Sequence, residues 1–378
     1  MKKRIGIFSL VCLISILILG ACGGNSSKTE TNTASNGTTE SASSPEKTAN
    51  DLDNSIAIGT HSAGSGYHTV GSGLAKIISD STPIRANVRP TAGPQAWIND
   101  LNSGKLEFGL MNNVDIAFAY NGGPGYEKPV GNLRTVFGGM KMNSSGFAVR
   151  RDSGITSIKE LVDKPVASGF GGNFLIDLIL RAELESVGLS YDDVKPVPVP
   201  EFQTSLDALQ EKTVVAAYPG SPDSAKAQEV GSAIGGMRVI PFGDLKPEDI
   251  SSDGKAPAEM QALLEKYLPG ASFTVVPAGT GVLEEDTVHI RYDMTLVASA
   301  DTSAETVYQV LKSIWENYEK LHGLISYTKD LNHEVMALPN PGAPYHEGAI
   351  RFYKEIGVWT PEHEKLAQVD VENLKKLQ

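Results

Sequence analysis

The feature that most constrains this fold is an alternation of short apolar segments with longer amphipathic ones, which occurs twice along the chain. The predicted strands of the first copy are residues 55–59, 84–89, 106–111 and 133–138. Those of the second copy, which begins near Ile155, are residues 165–168, 194–199 and 213–218. Such an alternation is typical of an α/β fold with a largely parallel sheet.

The two copies align with an offset of 108 residues. The aligned pairs are Pro90 with Pro198, Gln95 with Gln203, Leu101 with Leu209, Leu106 with Val214, and Asp115 with Asp223. About 325 residues follow the amino-terminal segment, which is too many for one ordinary core. We therefore predict two similar α/β lobes around a central cleft: residues 53–150 start lobe I, 151–287 form lobe II, and 288–378 return to lobe I and end in helices.

The returning part of the chain carries its own signals. Residues 289–299 read as a long strand, and Thr302 and Glu305 have the spacing of a capping box that opens a helix. Apolar residues then recur on one stripe of that helix, which predicts Trp315 in the core rather than at a ligand.

The amino terminus predicts export and a lipid anchor. Basic residues precede an apolar run from Ile5 to Leu19, which is shorter than the roughly 20 residues of a membrane-spanning helix. The end of this run, Leu19-Gly20-Ala21-Cys22, resembles a bacterial lipobox. That resemblance implies a lipoprotein signal peptide over 1–21 and acylation of Cys22; an uncleaved signal anchor is the alternative. Residues 22–52 are rich in Ser, Thr and Asn, which predicts a flexible tether.

These features place the protein on the extracytoplasmic face of the cell membrane, and the tether favours a Gram-positive surface over a periplasm. The formal charge is −12 at pH 7, which argues against nucleic acid as a partner. Cys12 leaves with the signal and Cys22 is acylated, so disulfides, thiolate metal sites and cysteine nucleophiles are excluded from the mature domain. No metal or cofactor is predicted.

Two glycine-rich loops precede predicted helices. The first, residues 59–67, lacks the third glycine of a dinucleotide fingerprint, because Thr69 stands there. Its backbone amides and the hydroxyls of Thr60, Ser62 and Ser65 instead suit a carboxylate or phosphate oxygen, with a simple tight turn as the alternative. The second loop, residues 169–173, offers the same device in lobe II.

Aromatic residues beside these loops are candidates for either the cleft wall or ordinary packing: Tyr67, Trp97, Phe170 and Tyr218. No catalytic constellation accompanies them. His61 and His68 lack the spacing of a metal site, and Ser65 lies outside a G-x-S-x-G elbow. We therefore interpret both histidines as solvated loop residues and predict that the chain is not an enzyme.

Several segments, in their order along residues 53–357, resemble the TAXI family of solute-binding proteins, which serve tripartite ATP-independent periplasmic (TRAP) transporters. The matching segments are residues 56–60 with the Ser/Gly/Tyr loop that follows, 91–93, 109–115, 149–155, 168–173 and 346–353. The resemblance implies a type II periplasmic-binding-protein fold that closes on its ligand by a hinge. It also implies a small organic anion as ligand, an amino acid or a glutamate-like dicarboxylate, and integral membrane TRAP permease subunits as partners.

By position in this family, the ligand-binding residues are expected in the loops at the cleft. They are Thr60, Ser62, Gly64, Ser65, Tyr67, Thr91, Gly93, Pro94, Asn112, Asn113, Ser168, Gly171, Gly172, Asn173, Tyr218, Gly220 and Ser221.

The sequence departs from the family where Thr-Gly-Gly-Ser and Gln-Ser are usual. It has Thr91-Ala92-Gly93-Pro94 and Asn112-Asn113 there, and the two loop histidines stand where Gly and Tyr are more usual. These changes leave the identity of the ligand open. The alternatives for function are an ABC-type solute receptor, a ligand-presenting sensory module of the same fold, and an extracytoplasmic hydrolase.

Overall fold

The computed structural model describes residues 51–366, which form a mixed α/β fold with two sheets. The predicted signal peptide, Cys22 and all but the last residues of the predicted tether lie outside the described residues. Among residues 51–366, no helix has both the length and the apolar character needed to cross a membrane.

The strands are β1 (Ser55–Thr60), β2 (Arg85–Pro90), β3 (Phe108–Asn112), β4 (Leu133–Ser144), β5 (Ala148–Arg150), β6 (Pro165–Ser168), β7 (Lys195–Pro198), β8 (Ala216–Ala217), β9 (Met237–Val239), β10 (Ser272–Val276) and β11 (Thr287–Ser299). The α-helices are α1 (Gly66–Ser81), α2 (Pro94–Asn102), α3 (Asn113–Asn121), α4 (Phe174–Glu185), α5 (Phe202–Gln210), α6 (Ala225–Ala233), α7 (Ala258–Tyr267), α8 (Ala304–Trp315), α9 (His333–Met336) and α10 (Glu347–Glu355).

The two sheets share one strand order. In the first sheet the order is β10-β11-β3-β1-β2, with β4 also paired to β11, and in the second it is β9-β5-β8-β6-β7. Each sheet has three parallel strands, followed at the same edge by an antiparallel strand, which is β11 in the first and β5 in the second. This arrangement confirms the predicted fold class of two α/β lobes.

The strand registers reproduce the sequence repeat. Ile58 pairs with Val88 on one side and with Phe108 on the other. In the second sheet the equivalent pairs are Val166 with Pro196 and Val166 with Ala216. Each of these residues lies 108 positions after its counterpart, so the offset inferred from the sequence is also the offset of the hydrogen-bonded strands.

The chain passes from one sheet to the other between Ser144 and Ala148, and it returns between Val239 and Ser272. Strand β10 pairs with β11 in the first sheet, although it lies within the 151–287 range that the sequence assigned to lobe II. An apolar strand pattern does not state which sheet the strand joins. The limits of the lobes stay a prediction.

Two glycines allow a buried tryptophan to hold α2 against the first sheet. A Cβ on Gly59 of β1 would lie 2.9 Å from the Trp97 ring, and one on Gly109 of β3 would collide with the same ring. Trp97 is fully buried. It is therefore a core residue. Its ring packs directly on the backbone of Gly59 and Gly109, which positions the loop between β2 and α2.

The predicted capping box at α8 is wrong by one residue. The N-cap is Ser303, whose Oγ accepts a hydrogen bond from Thr306 N at 3.1 Å. Thr302 instead donates its hydroxyl to the carbonyl of Glu107 at 3.2 Å. Serine is the somewhat better N-cap by type, and the hydroxyl of Thr302 is already used in its contact with Glu107. Trp315 packs against the core while remaining partly exposed.

Candidate functional site

A cavity lies among the loops that follow the parallel strands of both sheets. Its lining comes from the loops after β1, β2, β6, β7 and β8 and from Met142 and Tyr292, which pair across β4 and β11. Its free volume is about 440 Å³, part of which is continuous with the solvent. In open α/β sheets, ligands bind at the carboxyl ends of the strands, so this cavity is the candidate ligand site.

Helix N-termini from both halves of the repeat meet at this cavity. Ser65 caps α1, Asn173 precedes α4, Phe202 begins α5 and Ser224 caps α6, and all four line the cavity. Helix N-termini carry partial positive charge and unpaired N–H groups, which favour a bound anion. Within residues 51–366, no lysine or arginine lines the cavity, so the helices supply the positive potential.

His61 is a wall of the cavity rather than the solvated loop residue that the sequence suggested. Only 7% of its surface is exposed, and its ring stacks on Tyr67 with 3.8 Å between ring centroids. Burial lowers the pKa of His61 to about 3. The imidazole is therefore neutral at physiological pH.

The side chains of His61 and Asn173 meet in the wall of the cavity. Their Nδ1 and Nδ2 atoms lie 3.3 Å apart, within hydrogen-bonding distance. His61 Nε2 and Asn173 Oδ1 are both buried and have no hydrogen-bond partner. Buried polar atoms of this kind are costly to leave unpaired, so a ligand that pairs them would be stabilised.

Tyrosines form much of the remaining wall. Tyr67, Tyr218 and Tyr292 line the cavity, and burial raises the pKa of each. The Tyr218 hydroxyl lies 2.7 Å from the Ser144 hydroxyl, at the end of β4 where the chain crosses between sheets. These hydroxyls are neutral and provide hydrogen bonds without charge.

A buried carboxyl group lies behind Tyr67. Asp115 is 1% exposed, and burial raises its pKa to about 6, against hydrogen bonds from Asn112 and Tyr126. Asn112 Nδ2 donates to Asp115 Oδ2 at 2.8 Å, and the Tyr126 hydroxyl donates to Asp115 Oδ1 at 3.2 Å. The negative charge of Asp115 also raises the pKa of Tyr67. The far side of this wall is therefore electronegative.

Direct hydrogen bonds join the two halves of the repeat beside the cavity. Lys226 N donates to Gly64 O at 3.3 Å, and Phe174 N donates to Gln95 Oε1 at 3.2 Å. The Gln203 amide also donates to the carbonyl of Ala63. These donors belong to α4, α5 and α6, and their acceptors belong to the first half of the repeat.

Of the residues predicted for the site, the structure brings six together at the cavity: Ser65, Tyr67, Asn173, Tyr218, Gly220 and Ser221. The other predicted residues do not line it. Asn113 lines a different cavity, beside Gly270.

Several of these other residues shape the loops. Thr60 is fully buried and donates to His61 O at 2.9 Å, while Thr91 Oγ1 donates to Thr60 O at 3.0 Å. Asn112 caps α3. Ser62, Gly64, Gly93, Pro94, Ser168, Gly171 and Gly172 do not line the cavity. Gly93 and Gly172 are in close contact, because a Cβ on Gly93 would collide with the Gly172 carbonyl.

His61, Gly66 and Ala92 also line the cavity, in loops that the family resemblance places at the site. Sequence reasoning missed a further set of lining residues: Met142, Leu175, Ile176, Phe202, Ser224 and Tyr292. Ser224 had a usable signal, since a serine directly before a helical segment predicts an N-cap. Met142 and Tyr292 had none, because β4 and β11 are buried along most of their length and show no alternation that marks one face.

A model of the NMT1-like family matches residues 58–357. Among solved structures, the chain is similar to the alkanesulfonate-binding protein SsuA from Xanthomonas axonopodis pv. citri bound to MOPS, with 14% identity, a TM-score of 0.45 and 85% of each chain covered. It is also similar to PhnD1 from Prochlorococcus marinus (MIT 9301) in complex with methylphosphonate, with 10% identity, a TM-score of 0.48, and 81% and 99% of the two chains covered.

A third similar structure is the periplasmic binding protein BugD, with 14% identity, a TM-score of 0.49, and 85% and 97% of the two chains covered. These values mark a distant likeness.

Proposed function

This chain belongs to the NMT1-like family, and we propose that it is an extracytoplasmic solute-binding protein that captures a small organic anion between two α/β lobes. The ligand is an amino acid or a glutamate-like dicarboxylate in the first instance. The proposed receiving partner is a TRAP-type permease in the membrane, because the order of loop motifs resembles the TAXI solute-binding proteins.

One observation carries this proposal most directly: four helix N-termini meet at one cavity. Their partial charges favour an anion, and the absence of a basic side chain among the described lining residues leaves them as its principal counter-charge. Closure would surround the ligand with loops of both lobes, which is how a ligand selects the closed state of a hinged protein.

Isothermal titration of the mature domain with a panel of amino acids and mono- and dicarboxylates tests the function. We expect at least one anion to bind, and small-angle scattering to show compaction when it does. Mass spectrometry of the purified protein checks independently for a ligand carried through purification. If no anion binds and none compacts the protein, the proposal is wrong.

The proposed lipid anchor at Cys22 has its own test. Replacing Cys22 with Ala should release a folded, ligand-binding protein from the membrane. The variant would lack the acyl chains, in which each buried methylene contributes about 0.8 kcal/mol to membrane binding. Fractionation and solute uptake by intact cells measure the two consequences. Membrane retention of the variant, or full uptake by the released form, would contradict this role of Cys22.

A further inference from the structure

The facing pair His61 and Asn173 carries an inference about which anions the cavity accepts. The two side chains belong to loops 112 residues apart in sequence, and both are more than nine-tenths buried. Each contributes one buried polar atom without a partner, His61 Nε2 and Asn173 Oδ1. The pair therefore has unused hydrogen-bonding capacity inside the candidate site.

The pair leaves one donor and one acceptor free, whichever way the Asn173 amide is oriented. If Asn173 donates through Nδ2 to His61 Nδ1, the neutral imidazole carries its proton on Nε2, and the free atoms are one donor and one acceptor. If the amide is turned over, His61 Nδ1–H donates to the amide oxygen, so Nε2 becomes the free acceptor and the amide NH₂ the free donor. Either way, the pair leaves one donor and one acceptor without a partner.

We propose that His61 and Asn173 select a ligand terminus that both donates and accepts hydrogen bonds, such as a carboxamide, over a second carboxylate. This inference rests on the proposed function, in which the helix N-termini hold the anionic end of the ligand. A carboxamide offers a carbonyl to the donor and an N–H to the acceptor. A carboxylate has only acceptors, so one of its oxygens would face the acceptor of the pair.

The surrounding charges point the same way. Within the described chain no basic side chain lines the cavity, and the pair itself adds no positive charge because His61 is neutral. Asp115 lies behind Tyr67 and acts on its hydroxyl electrostatically. A second negative charge near this wall would therefore meet no basic side chain and would be repelled by the carboxylate of Asp115.

Matched ligands test the proposal: succinamate against succinate, and glutaramate against glutarate, each pair differing only in a terminal carboxamide or carboxylate. Isothermal titration at pH 7 should show at least about tenfold tighter binding of the amide member, the effect of leaving one buried acceptor unpaired. Equal binding, or tighter binding of the diacids, would overturn the selection by this pair while leaving the proposed anion receptor intact. Failure of all four, and of every other anion, would remove both.

Variants assign the preference to the pair. His61→Phe keeps a ring on Tyr67 but removes both nitrogens, so the amide preference should fall toward equality, and Asn173→Leu should do the same from the opposite lobe. His68→Phe is the matched control, because His68 does not line the cavity, and it should keep the preference. Thermal melts establish that each variant is folded. A preference that persists in a folded His61→Phe or Asn173→Leu protein would refute the assignment.

Discussion

At the scale of single residues, burial decides the protonation of His61, and under the proposed function this links ligand binding to pH. Its ordinary pKa of 6.5 falls to about 3 in the closed cavity. If opening exposes the ring to water, closure must release a proton at any pH below 6.5. The closed state is then fully favoured above pH 6.5 and loses stability as the pH falls toward 3.

We therefore predict that affinity for an anion falls between pH 7 and pH 5, by up to tenfold per pH unit once His61 is protonated in the open state. Titration calorimetry over this range, with a ligand that does not itself titrate there, measures the slope. The His61→Phe variant removes the titrating group and should show a shallower slope. The same slope in both proteins would show that another group is responsible.

Glu183 is a second buried residue whose titration affects the molecule, here through folding. It is 1% exposed on α4, and its Oε2 accepts a hydrogen bond from Phe147 N at 2.8 Å, beside the crossing from β4 to β5. Gly146 is required there, since a Cβ would collide with the Glu183 carboxyl group. Burial raises the pKa of Glu183 from 4.5 to about 8.

A raised carboxyl pKa makes the folded state bind its proton more tightly than the unfolded state, so this group destabilises the fold as the pH rises from 4.5 toward 8. Glu183→Gln should therefore melt at a higher temperature than the parent at pH 8, with the difference shrinking toward pH 5. Glu185→Gln is the control, because Glu185 is exposed and Lys266 lowers its pKa. A Glu183→Gln effect that does not vary with pH would contradict this account.

At the scale of secondary-structure elements, the α1 N-terminus serves both the fold and the site. Ser65 Oγ accepts a hydrogen bond from His68 N at 3.1 Å, and Ser65 also lines the cavity. Ser303 makes the same contact at α8, accepting from Thr306 N at 3.1 Å, and does not line the cavity. A comparison of the two serines can therefore distinguish helix capping from the proposed ligand binding.

Replacing either serine with Ala should lower the free energy of unfolding by about 1 kcal/mol, the usual worth of a serine N-cap. Only Ser65→Ala should also weaken anion binding, by about tenfold if a hydrogen bond to the ligand is lost. Chemical denaturation and calorimetry on both variants measure the two effects. Similar losses of affinity in both would mean that binding follows overall stability.

The ends of the strands show how accurately the local sequence pattern predicts strand length. The prediction for β1 ended one residue short of the observed Ser55–Thr60, whereas β4 was predicted to stop at residue 138 and continues to Ser144. Gly138-Gly139 looks like a strand end in the sequence. In the structure Gly139 takes a φ of +88°, and β4 continues against β11 across a register shift. A bulge supported by a partner strand cannot be inferred from one strand alone.

At the scale of the whole molecule, α5 and α6 contact the first half of the repeat, and in the proposed hinge motion these contacts stabilise the closed state. The Gln203 side chain of α5 donates to Ala63 O, next to the Lys226 N to Gly64 O contact of 3.3 Å. Each such bond has a net worth of about 1 kcal/mol. The closed state is therefore held by a few bonds that can be removed singly.

Gln203→Ala should speed ligand release by about two- to tenfold, because it removes one bond that exists only in the closed state. Gln210→Ala, an exposed glutamine at the other end of the same helix, should release ligand at the parent rate. Stopped-flow displacement measures both. Unchanged release from the Gln203 variant would show that this contact does not limit opening.

The sequence by itself determined the α/β class, the repeat and its 108-residue offset, because the apolar pattern of the strands and its recurrence along the chain can be read without knowing which strands pair. It also marked both glycine-rich loops, since glycine and serine before a helix have a local signature. The tertiary structure alone decided which loop atoms meet. His61 and Asn173 lie 112 residues apart, and only the packing of their two loops against each other buries them together. Burial of a polar loop residue depends on what covers it, and no local pattern records that.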